Sequence, residues 1–120
     1  MITPSVHSDF PVILVEDDDD LREAIAVTLR LNHIDFVTHQ RAETVLPLLQ
    51  PGLKTVLITD YRLPGMNGVD LLKLALKEIP DLPVIVMTAF ADAKLAVEAL
   101  KAGARDFLIK PFVPDQLIEI

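Results

Sequence analysis

A chain of 120 residues, 51% hydrophobic and 24% charged, is long enough for one domain with a real core and too apolar to be disordered. It has no cysteine, which excludes disulfides, thiolate chemistry and cysteine-ligated metals. A formal charge of −7 argues against this domain gripping nucleic acid itself, because phosphate binding needs clustered Lys and Arg, and no apolar run approaches a membrane span.

Residues 1–9 read as a flexible leader and 10–120 as the folded domain. The start, MITPSVHSDF, lacks a basic region followed by an apolar stretch, so no signal peptide is expected and a cytoplasmic location is. The first strand, 10–15, is continuous and apolar, as suits a strand covered on both faces. Five adjacent acids follow, Glu16 to Asp20. Leu21, Ala24, Ile25, Thr28 and Leu29 then recur at helical spacing. Asp20 and Glu23 form a capping box for that helix, or Asp19 caps it, and Asn32-His33 closes it. Residues 35–39 make a short second strand. A second helix is expected over 42–50, bent or interrupted at Pro47 and ended by Pro51-Gly52.

Residues 56–59, an apolar run rich in β-branched side chains, read as a buried third strand that stops at Asp60. A turn-rich loop, 62–68, leads into a third helix with Val69, Leu72, Leu76 and Ile79 along one side, ended by Pro80. The fourth strand, 83–87, ends in Thr88-Ala89. The fourth helix, 92–102, has a small, Ala-rich apolar face and Gly103 as its left-handed cap. The fifth strand, 106–109, ends in Lys110-Pro111. A fifth helix starts at 113 and has about two turns. Its apolar face (Val113, Leu117, Ile118) would need more length to cover a sheet, so this domain is expected to be cut from a longer protein.

Five βα units in strict alternation imply an α/β fold with a doubly wound parallel sheet. Strand ends of one polarity then lie on one rim, which gathers Glu16 and Asp17, Asp60, Thr88 and Lys110. An aspartate at the carboxyl end of a buried strand sits where open α/β sheets place their chemistry, so Asp60 is the candidate nucleophile. Carboxylates about 4 Å apart repel by roughly 4 kcal/mol at an effective dielectric near 20, which a cation would offset. Hard oxygen ligands in this number favour Mg²⁺; Mn²⁺ would fit the same set. A phosphoryl group on Asp60 would give the ion one oxygen, the Lys110 ammonium a second and the Thr88 hydroxyl the third. Alone, each residue has a bland reading: a helix cap, a solvated loop, a turn hydroxyl, a surface lysine, a core Phe107. His7, His33 and His39 show no ligand spacing.

The motifs ILVEDD (13–18), LITDYRLPGMNG (57–68), VIVMTAF (84–90) and AVEALKAGARDFLIKPF (96–112) together resemble the receiver domain of two-component response regulators. The resemblance implies a flavodoxin-like (βα)5 fold with strand order 2-1-3-4-5. It implies that Asp60 accepts a phosphoryl group from a sensor histidine kinase. Glu16 and Asp17 become the acidic pair that holds Mg²⁺ with Asp60 and the backbone carbonyl of Arg62. Thr88 becomes the switch hydroxyl, Phe107 the switch aromatic and Lys110 the phosphate-binding lysine, with a cis peptide between Lys110 and Pro111. Glu16 replaces a frequent Asp, and Phe107 lacks the hydroxyl of a frequent Tyr.

The tract 96–112 is also similar to receivers of sigma-54-dependent (NtrC-like) transcription activators. The implied partners are a kinase, an output domain in the parent protein and a second copy. The second copy would dock through the fourth helix, fifth strand and fifth helix. A receiver-like interaction module not regulated by phosphorylation is the alternative. An aspartyl phosphatase is disfavoured, because its second acid would fall at Arg62, and a flavin-binding domain is disfavoured by the acidic first loop.

Overall fold

The computed structural model describes residues 11–89 and 93–110. The element order is β1 (Val12–Val15), α1 (Asp19–Leu31), β2 (Phe36–His39), two 3-10 turns (Ala42–Thr44 and Leu46–Leu48), β3 (Leu57–Asp60), α2 (Gly68–Glu78), β4 (Val84–Ala89), α3 (Ala93–Lys101) and β5 (Asp106–Lys110). The leader and the helix expected from 113 lie outside the described residues.

The five strands form one parallel sheet in the order β2-β1-β3-β4-β5. The register sets Val15 opposite Thr59, Asp60 opposite Met87 and Thr88 opposite Ile109. Helices cover both faces, so the central strands are apolar on both sides. On one face Leu14, Ile58, Ile85 and Met87 pack with Ile25 and Leu29 of α1. On the other, Val15, Leu57 and Val86 pack with Leu72 and Ala75 of α2 and Ala99 of α3. Each fully buried aliphatic side chain of this kind contributes roughly 1.5–3 kcal/mol.

Two local expectations need correction. The stretch 42–50 is not one helix but two 3-10 turns meeting at Val45. Pro47 has no N–H to bond back to Glu43, and its ring would clash with that carbonyl in an α-helix. Ala42, Val45 and Leu49 are still buried, so the segment keeps a helical apolar spacing without helical bonding. The cap of α1 is Asp18, whose carboxylate accepts the Asp20 and Leu21 N–H groups at 2.9 and 3.1 Å. The box expected at Asp20 and Glu23, and the alternative cap Asp19, fall inside the helix, because α1 starts a residue earlier than its apolar stripe suggests.

Helix endings follow backbone chemistry. After α3, Gly103 has φ +111° and its N–H bonds Leu100 O, while Ala104 N–H reaches Ala99 O. These are the paired bonds of a left-handed helix stop. The same pair closes α1, from His33 N–H to Arg30 O and Ile34 N–H to Leu29 O, but there the left-handed residue is His33, at φ 59°. A side chain with a Cβ is strained in that conformation by about 1–2 kcal/mol, partly offset in a His-to-Gly change by the freer unfolded chain. His33→Gly should therefore stabilise the domain by up to about 1 kcal/mol, read as a higher urea midpoint at unchanged slope.

Candidate functional site at the carboxyl rim of the sheet

From β1 the chain crosses to β2 on one side, and β3 lies on the other, so the loops leaving β1 and β3 diverge and open a crevice between them. Glu16 and Asp17 begin one loop and Asp60 begins the other. Glu16 is completely buried, and its backbone is fixed on both sides. Its N–H donates to His39 O at 3.0 Å, and its carbonyl accepts from Arg22 Nη1 at 2.9 Å. Its Oε2 accepts the Asp18 N–H at 3.0 Å. The second arm of Arg22 pairs with the Asp19 carboxylate, so one guanidinium ties the loop to α1. Asp17, with no such burial, is exposed.

Asp60 is buried as well, at 6% exposure. Glu16, Asp17 and Asp60 each offer a carboxylate oxygen, and these three atoms lie within 4.8 Å of one another. At that separation each ionised pair repels by roughly 3–4 kcal/mol at an effective dielectric near 20. A hard divalent cation offsets that repulsion, and an all-oxygen, part-buried donor set open to solvent at Asp17 suits Mg²⁺ with its retained waters.

Beside this cluster, Thr88 is 1% exposed, and its hydroxyl has no hydrogen-bond partner among the described residues. Phe107 sits opposite Val86 in the β4–β5 ladder, so it shares a sheet face with Thr88 one pleat away, and it is half-buried. Arg62 is exposed, two residues past Asp60. The backbone of Lys110 ends β5 opposite Ala89. The Lys110 side chain and the Lys110–Pro111 peptide lie outside the described residues.

Three residues shape the site without having been singled out for it from sequence. Arg22 and Asp18 hold the acidic loop, as above. Gly68 opens α2 directly against Asp60: a Cβ there would come closer than 3.0 Å to the Asp60 carbonyl oxygen. Its N–H donates to Tyr61 O at 2.8 Å, and Tyr61 N–H extends the ladder to Met87 O at 2.7 Å. In sequence Gly68 looks like one more turn residue; only the close approach of two backbones distinguishes it.

His39, whose carbonyl holds Glu16, has a half-buried ring with Nδ1 2.8 Å from Thr44 Oγ1. The Thr44 hydroxyl already donates to Arg41 O, so it accepts here and Nδ1 carries the hydrogen. Burial holds the His39 pKa below its ordinary 6.5.

The chain matches the response regulator receiver domain model over residues 12–120. It is 44% identical over 109 residues to the response regulator protein FleR of Pseudomonas aeruginosa, covering 91% of this chain and 23% of FleR. It is 38% identical over 109 residues to the DNA-binding transcriptional regulator NtrC of Salmonella typhimurium, covering 91% of this chain and 23% of NtrC. It thus spans under a quarter of the length of both. Its fold superposes on the crystal structure of FixJ-N with a TM-score of 0.80 at 40% identity, covering 92% of this chain and 88% of that one.

Two outcomes are expected from this geometry. Gly68→Ala should destabilise by about 1–3 kcal/mol through backbone overpacking, and should shift the Asp60 and Tyr61 amide resonances, measured by urea unfolding and NMR. For His39, the unfolded state binds its proton more tightly than the folded one. Its contribution is complete above pH 6.5 and is lost as pH falls from there through the lower folded value. Urea midpoints should decline over that window, and His39→Gln should flatten the decline.

Proposed function

This chain belongs to the response regulator receiver domain family, the regulatory modules of two-component systems, and from that premise we propose that Asp60 takes a phosphoryl group from a phosphohistidine of a sensor histidine kinase. The observation that carries the reading is the meeting of Glu16, Asp17 and Asp60 within 4.8 Å at the sheet's carboxyl rim, near the buried hydroxyl of Thr88, which has no partner among the described residues.

An Asp60 carboxylate oxygen attacks phosphorus while the bond from phosphorus to the imidazole nitrogen breaks. The electron pair leaves with the imidazole, and Asp60 becomes an acyl phosphate. Glu16, Asp17, Asp60 and the Arg62 carbonyl would hold Mg²⁺, which when bound neutralises charge on the transferring oxygens. The Lys110 ammonium pairs with a second phosphoryl oxygen. The Thr88 hydroxyl donates to a third, gaining the hydrogen bond it lacks among the described residues. Arg62, where an aspartyl phosphatase would have its second acid, supplies no general acid, so turnover of small phosphate esters is not expected.

The output is a change of shape. Thr88 turning toward the phosphoryl group leaves room that the Phe107 ring takes by packing alone. The surface of α3, β5 and the segment from 113 then alters its contacts with a second copy or with an output domain. A tenfold shift of such an equilibrium takes about 1.4 kcal/mol, within the range of one charge-assisted hydrogen bond. Similarity to NtrC, a DNA-binding transcriptional regulator, supports a transcriptional output in the parent protein.

Acetyl phosphate or beryllofluoride with Mg²⁺ should shift the NMR resonances of Thr88 and Phe107 along with those around Asp60. Asp60→Asn should abolish labelling. Thr88→Ala should keep labelling and lose the response at Phe107. A response confined to the immediate neighbours of Asp60 would refute the switch, and absence of Mg²⁺-dependent labelling in a folded protein would favour an interaction module without phosphorylation.

A further inference from the structure

Glu43 belongs to the first 3-10 turn, after the edge strand, yet its side chain reaches the loop that follows Asp60. Its Oε2 accepts the Met66 N–H at 3.2 Å. A Cβ added at Gly65 would meet the same oxygen closer than 3.0 Å, so the carboxylate lies against that loop at two successive residues. Arg41 Nε stands 3.6 Å from the other oxygen. The turn that carries Glu43 is itself anchored, since Ala42 and Val45 on either side are fully buried.

The Glu43 carboxyl is held below the ordinary carboxylate range by its own N–H and by that of Met66, with Arg41 adding to them. It is therefore ionised at neutral pH, and its bond to Met66 is charge-assisted. The loop has no regular structure of its own between Tyr61 and Asn67. Its ends are fixed by the Tyr61 bond to Met87 and by Asn67, which caps α2 by accepting the Asp70 N–H at 2.9 Å. Glu43 braces its middle from outside.

We propose that Glu43 is a positioning residue: it holds the loop 61–67 in the conformation that Mg²⁺ binding and phosphoryl transfer require, ordering it before the ion arrives. This rests on the receiver chemistry proposed above, in which the Arg62 carbonyl of the same loop joins the metal ligands. Holding a loop in advance removes its ordering cost from binding, so the effect falls on affinity rather than on the fold. Glu43 touches no acidic ligand directly, and its loss opens no cavity in the core.

Three proteins separate the contact from the charge. The native chain, Glu43→Gln and Glu43→Ala would be compared for Mg²⁺ affinity by calorimetry, amide hydrogen exchange at Met66 and urea midpoint. Gln keeps an oxygen that can accept the Met66 N–H but has no charge; Ala keeps neither. Glu43→Ala should weaken Mg²⁺ binding about threefold to tenfold and speed Met66 exchange by about the same factor at a nearly unchanged midpoint. Glu43→Gln, which keeps a weaker neutral bond, should fall between native and Glu43→Ala on both. Native-like binding by Glu43→Ala would overturn the proposal. Equal losses in Glu43→Ala and Glu43→Gln would also overturn it, because they would trace the effect to the field of a negative charge. A folded native chain that binds no Mg²⁺ would instead remove the receiver chemistry on which it rests.

Discussion

Repulsion among Glu16, Asp17 and Asp60 is the constraint around which this domain is built. Three carboxylate oxygens within 4.8 Å oppose one another by roughly 3–4 kcal/mol per pair at an effective dielectric near 20, against a whole-domain stability of about 5–15 kcal/mol. An exposed cluster would relax by swinging its side chains apart. Here that escape is left to Asp17 alone, which is exposed. Glu16 is locked through its N–H, its carbonyl and its carboxylate to His39, Arg22 and Asp18. Asp60 ends a strand paired on both sides, and Gly68 backs against its carbonyl. Charge at Glu16 and Asp60 is thus held in place by backbone hydrogen bonds and close packing, and added positive charge lowers its energy. Such a cluster suits a divalent ion, which is what the proposed phosphoryl transfer to Asp60 uses.

The sequence shows the rim more clearly than it shows what braces it. Apolar runs such as 12–15, 56–59 and 84–87 are strand-length and rich in β-branched residues, and each is followed by a polar residue (Glu16, Asp60 and Thr88), so the strands and the residues at their ends can be read together. Parallel pairing then brings Asp17 near Asp60 whatever happens in between. Structure departs from the local pattern where one rule meets a competing one. Residues 42–50 carry a helical apolar spacing, and that spacing does describe their burial, but Pro47 removes a bond and the backbone settles into two 3-10 turns. In a run of five acids any of several could cap α1, and composition cannot choose; the cap at Asp18 depends on where the chain leaves β1.

Arg22, Gly68 and Glu43 were illegible for a different reason. Arg22 reaches back six residues to a carbonyl, Gly68 matters because of Asp60 eight residues before it, and Glu43 crosses 23 residues to Met66. None belongs to a periodic pattern or to a run of like residues. Each acts through backbone atoms, which every residue possesses and which therefore leave no mark in a sequence. Catalytic side chains are conspicuous because few residue types can do their chemistry; residues that position backbone are not.

Placement of Thr88 also limits how the proposed switch can move. β4 is bonded to β3 on one side and β5 on the other, so sliding it would break two ladders at once. What remains is rotation about χ1, and a β-branched side chain has few wells to choose from. The Thr88 hydroxyl has no partner among the described residues, and a buried hydroxyl left so costs about 1–3 kcal/mol, so in the proposed switch an acceptor arriving at Asp60 would give that rotation a direction as well as a driving force. Pleating puts Phe107 on the same face as Thr88, one step along β5. A threonine rotamer and an aromatic ring can therefore share one volume in either of two arrangements, with the sheet unmoved between them. In the proposed switch such a pair would transmit an event at the rim toward α3 and β5 by exchanging side chains across a fixed backbone, a task for which a Phe without a hydroxyl suffices at 107.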